Sequence, residues 1–542
     1  MNKKPQNKMM EIWQRLEGNS RLFWLGLGLL GLMCAGLMAY ITRHGIGVIN
    51  DSVLYVLGAR NLLAGNGYVR FSGDYSAVPI TNFPPMYSLT LALLSLPGLD
   101  PLYTARYFSI FLYAINVILM GVMGKKMTGS TLFGWLAAGL LALSEPIMRI
   151  HTFAMTDGYF LLISFGVLFS LANHLKTGKI GWIALSGLFS GFAFLTRYVG
   201  AALFGTVLVM VLLFQEDWRK KLISAGIYLA AGLPMALAWM VRNQLVQGSL
   251  ANRTMLYHPI HAAKIKEGMI FLWEWLLPNS EGLVERALPV ASVLFYAGMA
   301  AVAIGSLVWI VRAVREKRTL SESQIFRIGN VVYLFGYSAL LIVTLLFLDA
   351  SPIFEAHIMF PVYVCMLALF LMGIQWLWNR GQMWLKGTAV AIALGLGLVF
   401  AEGTYFSARE ISWGGQGFLS SGWLNSATLA VLRQLPEDMP IYSNKIMAIQ
   451  FLNNRPAYAL PSPINPATDR PREGYAENVR EVREAVIKGE AYMVIFNYYG
   501  LMHSNSADDI QMMQDLGDGM PILYELDDGI IFGVEVTSEK ES

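Results

Sequence analysis

The sequence predicts a polytopic α-helical membrane protein of about 11 transmembrane helices with a small C-terminal α/β domain outside the membrane. Three observations predict it. The 542 residues are 55% hydrophobic and only 14% charged, whereas soluble domains run near a quarter charged. Apolar runs recur along the first three quarters of the chain at lengths suited to a bilayer core of roughly 30 Å, which takes about 20 residues of helix. Past residue 403 the pattern turns to short alternating helix and strand signals. A net charge of +3 is too small to argue for a nucleic-acid partner.

Taken in order, residues 1–21 are basic and suit a cytoplasmic, uncleaved signal-anchor start. A membrane domain is expected over 22–403, with spans at 22–41, 104–123, 131–148, 156–174, 180–196, 199–214, 222–241, 289–312, 328–348, 358–378 and 385–403. Arg197 interrupts the apolar stretch 180–214, so a hairpin is expected there, turning at Thr196-Arg197-Tyr198. Lys125-Lys126, Lys176 with Lys179, Arg219-Lys220-Lys221, Arg312 to Arg318, and Arg380 with Lys386 all share a face with the basic N-terminus. The positive-inside rule makes that face cytoplasmic in a cell (inner or plasma) membrane. The outer face then receives a first loop over 43–103, a long loop over 242–288 and the region 404–542. In the long loop, Trp273-Glu274-Trp275 suits the membrane interface. Cys34 and Cys365 both lie in apolar runs, so no disulfide framework is implied.

The last region reads as helix at Ser426–Gln434, strand at Met439–Ser443, helix at Lys445–Asn453 and strand at Ala457–Leu460. After a Pro-rich loop at 461–473 come a helix Ala476–Lys488, a strand Tyr492–Phe496, a helix near Asp508–Gln514 and strands Ile522–Glu525 and Gly529–Val536. Alternation of this kind argues for an extracytoplasmic α/β domain.

Candidate chemistry collects on the outer face. Asp51 lies just past the first span and opens a helical run ending at Ala64, with Tyr55 one turn along the same face. A helix N-terminus favours a carboxylate; Asn50 and Ser52 could each cap the helix, which frees Asp51 for another task. Asp157, at the start of the fourth span, has His151, Arg149 and Glu145 nearby. Asp157 and His151 are candidate ligands for a divalent metal cation, whose usual donors are carboxylate oxygens. Arg106, Arg197 and Arg242 stand where spans meet the outer water, and arginine matches a phosphate bidentately. Glu355 and His357 form a further rim candidate. There is no Walker sequence and no strand–glycine loop–helix pattern, so no soluble nucleotide-sugar site is expected.

The order Asp51, then Y-x-x-x-A-R-N-L-L-A-G-N-G-Y, N-F-P-P-M-Y-S and L-D-P-L-Y-T-A-R resembles the GT-C-fold membrane glycosyltransferases. Met155-Thr-Asp157-Gly and Leu195-Thr-Arg197-Tyr look like that group's second acidic loop and following arginine. The nearest branch looks like the protein O-mannosyltransferase and lipid A aminoarabinose transferase group, over about residues 20–400. The resemblance implies a GT-C-like catalytic domain, a polyprenyl-phosphate-linked sugar as donor and an acceptor hydroxyl on lipid, glycan or protein. It also implies inverting transfer of a hexosyl or pentosyl type, with Asp51 as the catalytic aspartate and Asp157 as the second acid. Where the family often pairs Asp with Glu, this chain has Ser52, and where it often has an arginine before span ten, this chain has Glu355-Ala-His357. A transporter or flippase of lipid-linked sugars is the alternative, and it would need ionisable groups buried in mid-span.

Overall fold

The computed structural model describes residues 19–250, 255–276, 320–348 and 356–535, except 466, 469 and 505, with scattered positions between 290 and 312. The expected span 289–312 falls largely outside the described residues, as do residues 1–18, most of the basic loop from Arg312 to Arg318, and Glu355. The other expected spans are all helical.

Seven described helices are long and apolar enough to cross a membrane: α1 (Ser20–Ile41), α4 (Pro101–Thr128), α7 (Asp157–Thr177), α10 (Trp218–Gln247), α12 (Glu322–Phe347), α13 (Ala356–Asn379) and α14 (Met383–Gly414). A bent pair, α5 (Thr131–Ala142) and α6 (Glu145–His151), meets at 61° and brings the number to eight if it forms one span. The break sits at Leu143-Ser144, where Pro146 at the start of α6 prevents a continuous helix. The expected hairpin 180–214 is present as α8 (Ile180–Thr196) and α9 (Ala201–Phe214), joined by a 3₁₀ turn at Tyr198–Gly200. At 17 and 14 residues these two are shorter than a full crossing, as is the 15-residue α11 (Ala262–Leu276). In α8, Gly187 and Gly191 let the backbone of α10 approach so closely that an added Cβ would lie 2.3 Å from the Tyr228 carbonyl oxygen and 2.8 Å from that of Gly232.

Between α1 and α4 lies a folded loop made of α2 (Asn50–Leu63), the hairpin β1 (Val69–Phe71) and β2 (Ala77–Pro79), and α3 (Met86–Ser95). Arg60 near the end of α2 grips Asp100 with two bonds of 2.9 and 3.0 Å, and Asp100 in turn caps α4. Buried Ile46, Tyr55, Val56, Tyr87, Leu91 and Met155 form an apolar layer that seats this loop on the helices.

Helix α14 runs for 32 residues, well past the expected end of its span, and delivers the chain directly into the C-terminal region. That region is α/β. Its strands β3 (Ile441–Ser443), β4 (Tyr458–Ala459), β7 (Tyr492–Phe496), β8 (Ile522–Leu526) and β9 (Gly529–Phe532) form a mixed sheet in the order β4-β3-β7-β9-β8. Strand β7 is buried along its whole length and runs parallel to β3 and antiparallel to β9. Helices α17 (Ile446–Asn453), α18 (Tyr475–Ile487) and α20 (Ala507–Gly517) accompany it, with α15 (Ser421–Leu424), α16 (Ala427–Leu432) and α19 (Tyr498–Met502) as short connectors. The expected Pro-rich loop contains a two-stranded hairpin, β5 (Ile464–Asn465) with β6 (Arg470–Pro471).

Three distant parts of the chain meet at residues 47–48. The Gly47 N–H donates to the Thr152 carbonyl at 2.7 Å, and Gly47 accepts from the Ala154 N–H at 2.9 Å. On the other side the Phe418 N–H donates to the Val48 carbonyl at 2.7 Å. Val48, Val53, Phe418 and Ala448 close over this junction as an apolar cluster. The C-terminal region is therefore packed against the loop that carries Asp51.

Candidate active site

Asp51 lies in the first turn of α2, three residues after the junction at 47–48. The expectation that Asn50 or Ser52 caps this helix is not met. Ile49 occupies the cap position without a side-chain bond, and the Ser52 hydroxyl is buried with no hydrogen-bond partner among the described residues. Hydrogen bonds from the junction backbone fix the start of α2 instead.

Tyr55 follows one turn later, buried between Phe83 and Tyr87, whose rings meet it edge-on at 5.3 and 5.4 Å. Burial pushes its phenol well above the ordinary tyrosine value; the Asp51 charge adds to the rise, while Arg197 and the Thr156 hydroxyl oppose it. The Asp51 charge, the Thr156 hydroxyl and the Arg197 guanidinium thus all bear on the Tyr55 phenol.

Asp157 begins α7 and is fully buried, and the Arg197 guanidinium bonds its Oδ1. The second oxygen, Oδ2, is buried and has no hydrogen-bond partner among the described residues. Burial opposes the charge on Arg197. The Asp157 carboxylate outweighs it, with Tyr337, Tyr55 and Asp51 adding to the effect, so the arginine is held above its ordinary value. The Phe360 ring lies 5.9 Å from the same guanidinium. His357 stands in the first turn of α13, three residues before Phe360.

The metal expectation does not fit the residues. The His151 Nδ1 donates to the Ile147 carbonyl at 2.7 Å, and the Asn116 amide, itself bonded to the Gly158 carbonyl, sits 3.2 Å from Nε2. Both ring nitrogens are thus engaged, and Asp157 Oδ1 is bonded by Arg197, which leaves Oδ2 as the one free oxygen of the expected pair among the described residues. Among the described residues no group of three or more His, Cys, Asp or Glu side chains could hold a metal ion. His151 holds α6 against α4 and α7, a structural task.

The other two arginines lie elsewhere. Arg106 donates to the Ala39 carbonyl at 3.0 Å and to the Thr42 hydroxyl at 3.2 Å, which ties α4 to the end of α1. Arg242 donates to the Ile80 carbonyl at 2.7 Å and to the Asn243 side chain at 3.0 Å, and stacks on Trp239. It pins the β1–β2 hairpin to α10, helped by Tyr198, whose hydroxyl donates to the Thr81 carbonyl at 2.9 Å. Arg70 escapes a reading of the sequence altogether. It lies on β1 in a short polar stretch where a charged residue is ordinary, and only its surroundings single it out.

Residues 77–243 match the family model described as dolichyl-phosphate-mannose-protein mannosyltransferase. No curated protein sequence matches the chain. The archaeal oligosaccharyltransferase AglB from Archaeoglobus fulgidus, solved with an inhibitory peptide and a dolichol-phosphate, superimposes with a TM-score of 0.52. It is 12% identical, over 87% of this chain and 70% of that one. ArnT from Cupriavidus metallidurans bound to undecaprenyl phosphate is 15% identical, over 93% of this chain and 97% of that one, with a TM-score of 0.46. The chain has the GT-C fold of membrane glycosyltransferases and, over residues 77–243, the sequence pattern of the mannosyltransferase family.

Proposed function

We propose that the chain transfers a sugar from a polyprenyl-phosphate donor to an acceptor hydroxyl at the outer face of the cell membrane, with Asp51 as general base. The convergence of Asp51, Tyr55 and the Asp157–Arg197 pair at the ends of membrane helices carries this reading. The dolichol-phosphate in the AglB structure supports a lipid-phosphate donor in this fold. Such a donor has its tail among the spans and its reacting carbon at the membrane boundary, where these side chains stand.

In the proposed step the acceptor oxygen forms a bond to the anomeric carbon while the bond from that carbon to the donor phosphate oxygen breaks. The acceptor proton passes to the Asp51 carboxylate, and the lipid phosphate leaves with the bonding electron pair. Attack from the side opposite the leaving group inverts the anomeric centre. Arg197 offers positive charge to the departing phosphate. Asp157 holds that guanidinium in place and is a positioning residue.

The test is turnover of a labelled polyprenyl-phosphate sugar by purified full-length protein in detergent, with cell-envelope extract as acceptor. Loss of a general base lowers the rate by about 10²–10⁴-fold, the effect expected for Asp51→Asn. Near-normal turnover by that variant would overturn the assignment.

A further inference from the structure

The arginines expected at a phosphate are each engaged: Arg197 with Asp157, and Arg106 and Arg242 mainly with backbone carbonyls. Arg70 differs from all three. It is half-buried, yet its guanidinium makes no hydrogen bond and no ion pair among the described residues. It lines a cleft of about 150 Å³ together with Leu54, Thr81, Asn82, Phe83 and Gln247. Leu54 belongs to α2 and stands one turn beyond Asp51, so the cleft adjoins the helix of the proposed base.

A cation drawn partly out of water ordinarily gains a carboxylate or a set of carbonyls to offset the loss. Here burial lowers the Arg70 pKa, and no acid among the described residues counters it. Arg242 reaches the carbonyl of Ile80, which also lines the cleft, and is itself satisfied there. Among the described residues one guanidinium and no carboxylate line a space that would hold a phosphate-sized group and a few waters, each water occupying about 30 Å³.

We propose that this cleft is an oxyanion subsite, in which the Arg70 guanidinium takes a phosphate or carboxylate group of a substrate. Guanidinium geometry suits both anions, since two parallel N–H groups meet two oxygens. The inference rests on the glycosyl-transfer reading for the substrate that brings the group, which is either the donor's lipid phosphate or an anionic acceptor.

The experiment uses full-length protein in a neutral maltoside detergent, titrated separately with inorganic phosphate, dihexanoyl phosphatidic acid and glucuronate and followed by calorimetry. At least one probe should bind saturably. Arg70→Gln should weaken that binding about tenfold or more, the scale of a lost charge-assisted bond, and Arg70→Lys should recover part of it. Asp51→Asn should bind the probe as the wild type does. Equal affinity in wild type and Arg70→Gln, or no saturable binding of any probe, would overturn the subsite. Turnover separates the sources: a raised KM for the labelled donor in Arg70→Gln assigns the anion to the donor, and a raised KM for the acceptor extract assigns it to the acceptor. Probe binding lost in Arg70→Gln, alongside normal turnover in Asp51→Asn, would keep the subsite and remove the general-base reading instead.

Discussion

Helix α7 carries an ion pair at each end, and the two are built differently. At its N-terminus Asp157 is fully buried against Arg197, whose side chain is only 14% exposed. In its last turn Lys176 reaches Glu322 at 3.1 Å, and the same carboxylate takes Lys126 at 2.6 Å. Those side chains are 28–54% exposed. Both arrangements suit the helix dipole, with the acid at the N-terminus and the base at the C-terminus. The exposed cluster keeps most of its water and joins the ends of three helices on the basic face. The buried pair has given up its water, which a helix start does not require. Burying charge is poor value for stability alone, and the buried pair is the one the proposed transfer would use.

Breaking the buried pair should have the larger consequence. Asp157→Ala leaves Arg197 as an uncompensated buried cation, and removal of one partner from such a pair costs about 3–5 kcal/mol. Thermal unfolding in detergent should show that loss, together with collapse of transfer. The double variant Asp157→Leu with Arg197→Met removes both charges and should recover most of the stability while remaining inactive. Recovery of turnover in the double variant would mean that the pair only holds the fold together.

A smaller effect is expected at the junction that brings the two acidic loops together. Gly417 has φ of +59°, and a Cβ there would lie 2.1 Å from the Val48 carbonyl oxygen. Gly417→Ala should therefore cost about 1–2 kcal/mol for the left-handed backbone alone. Because the displaced strand leads into α2, turnover should fall by roughly 10–100-fold, as it does when reacting groups shift by an ångström. A fall in unfolding temperature with turnover intact would separate the junction from the site.

This junction also shows where a sequence stops being legible. Asp51, Asp157 and Arg197 can be picked out because charge at the edge of an apolar run is costly and so asks for a reason. The α/β pattern of the last region follows from short apolar strands between amphipathic helices, and β7 occupies the very residues expected, Tyr492–Phe496. What brings the acids together is a pair of backbone bridges, Gly47 to Phe153 and Val48 to Gly417, between residues more than 100 positions apart. No local spacing encodes them. The metal reading of His151 fails for a related reason, since its ring is committed by a bend between α5 and α6 and by Asn116 on another helix. Arg70 is the mirror case, an ordinary strand residue made unusual by the lack of a partner among the described residues.

The smallest effect belongs to the exposed cluster. Glu322→Gln removes the shared carboxylate from Lys126 and Lys176, which both remain in contact with water. Exposed pairs contribute about 0–1 kcal/mol, and screening by salt reduces even that. The unfolding temperature of Glu322→Gln should thus drop slightly at low ionic strength and match the wild type in high salt, with transfer unchanged in both. The Asp157→Ala loss, by contrast, should persist in high salt, because ions do not penetrate a site with a fully buried carboxylate. The salt series therefore separates the two ends of α7 on one helix and in one preparation: if both losses vanish with salt, Asp157 and Arg197 are no better shielded than the lysines at the opposite face.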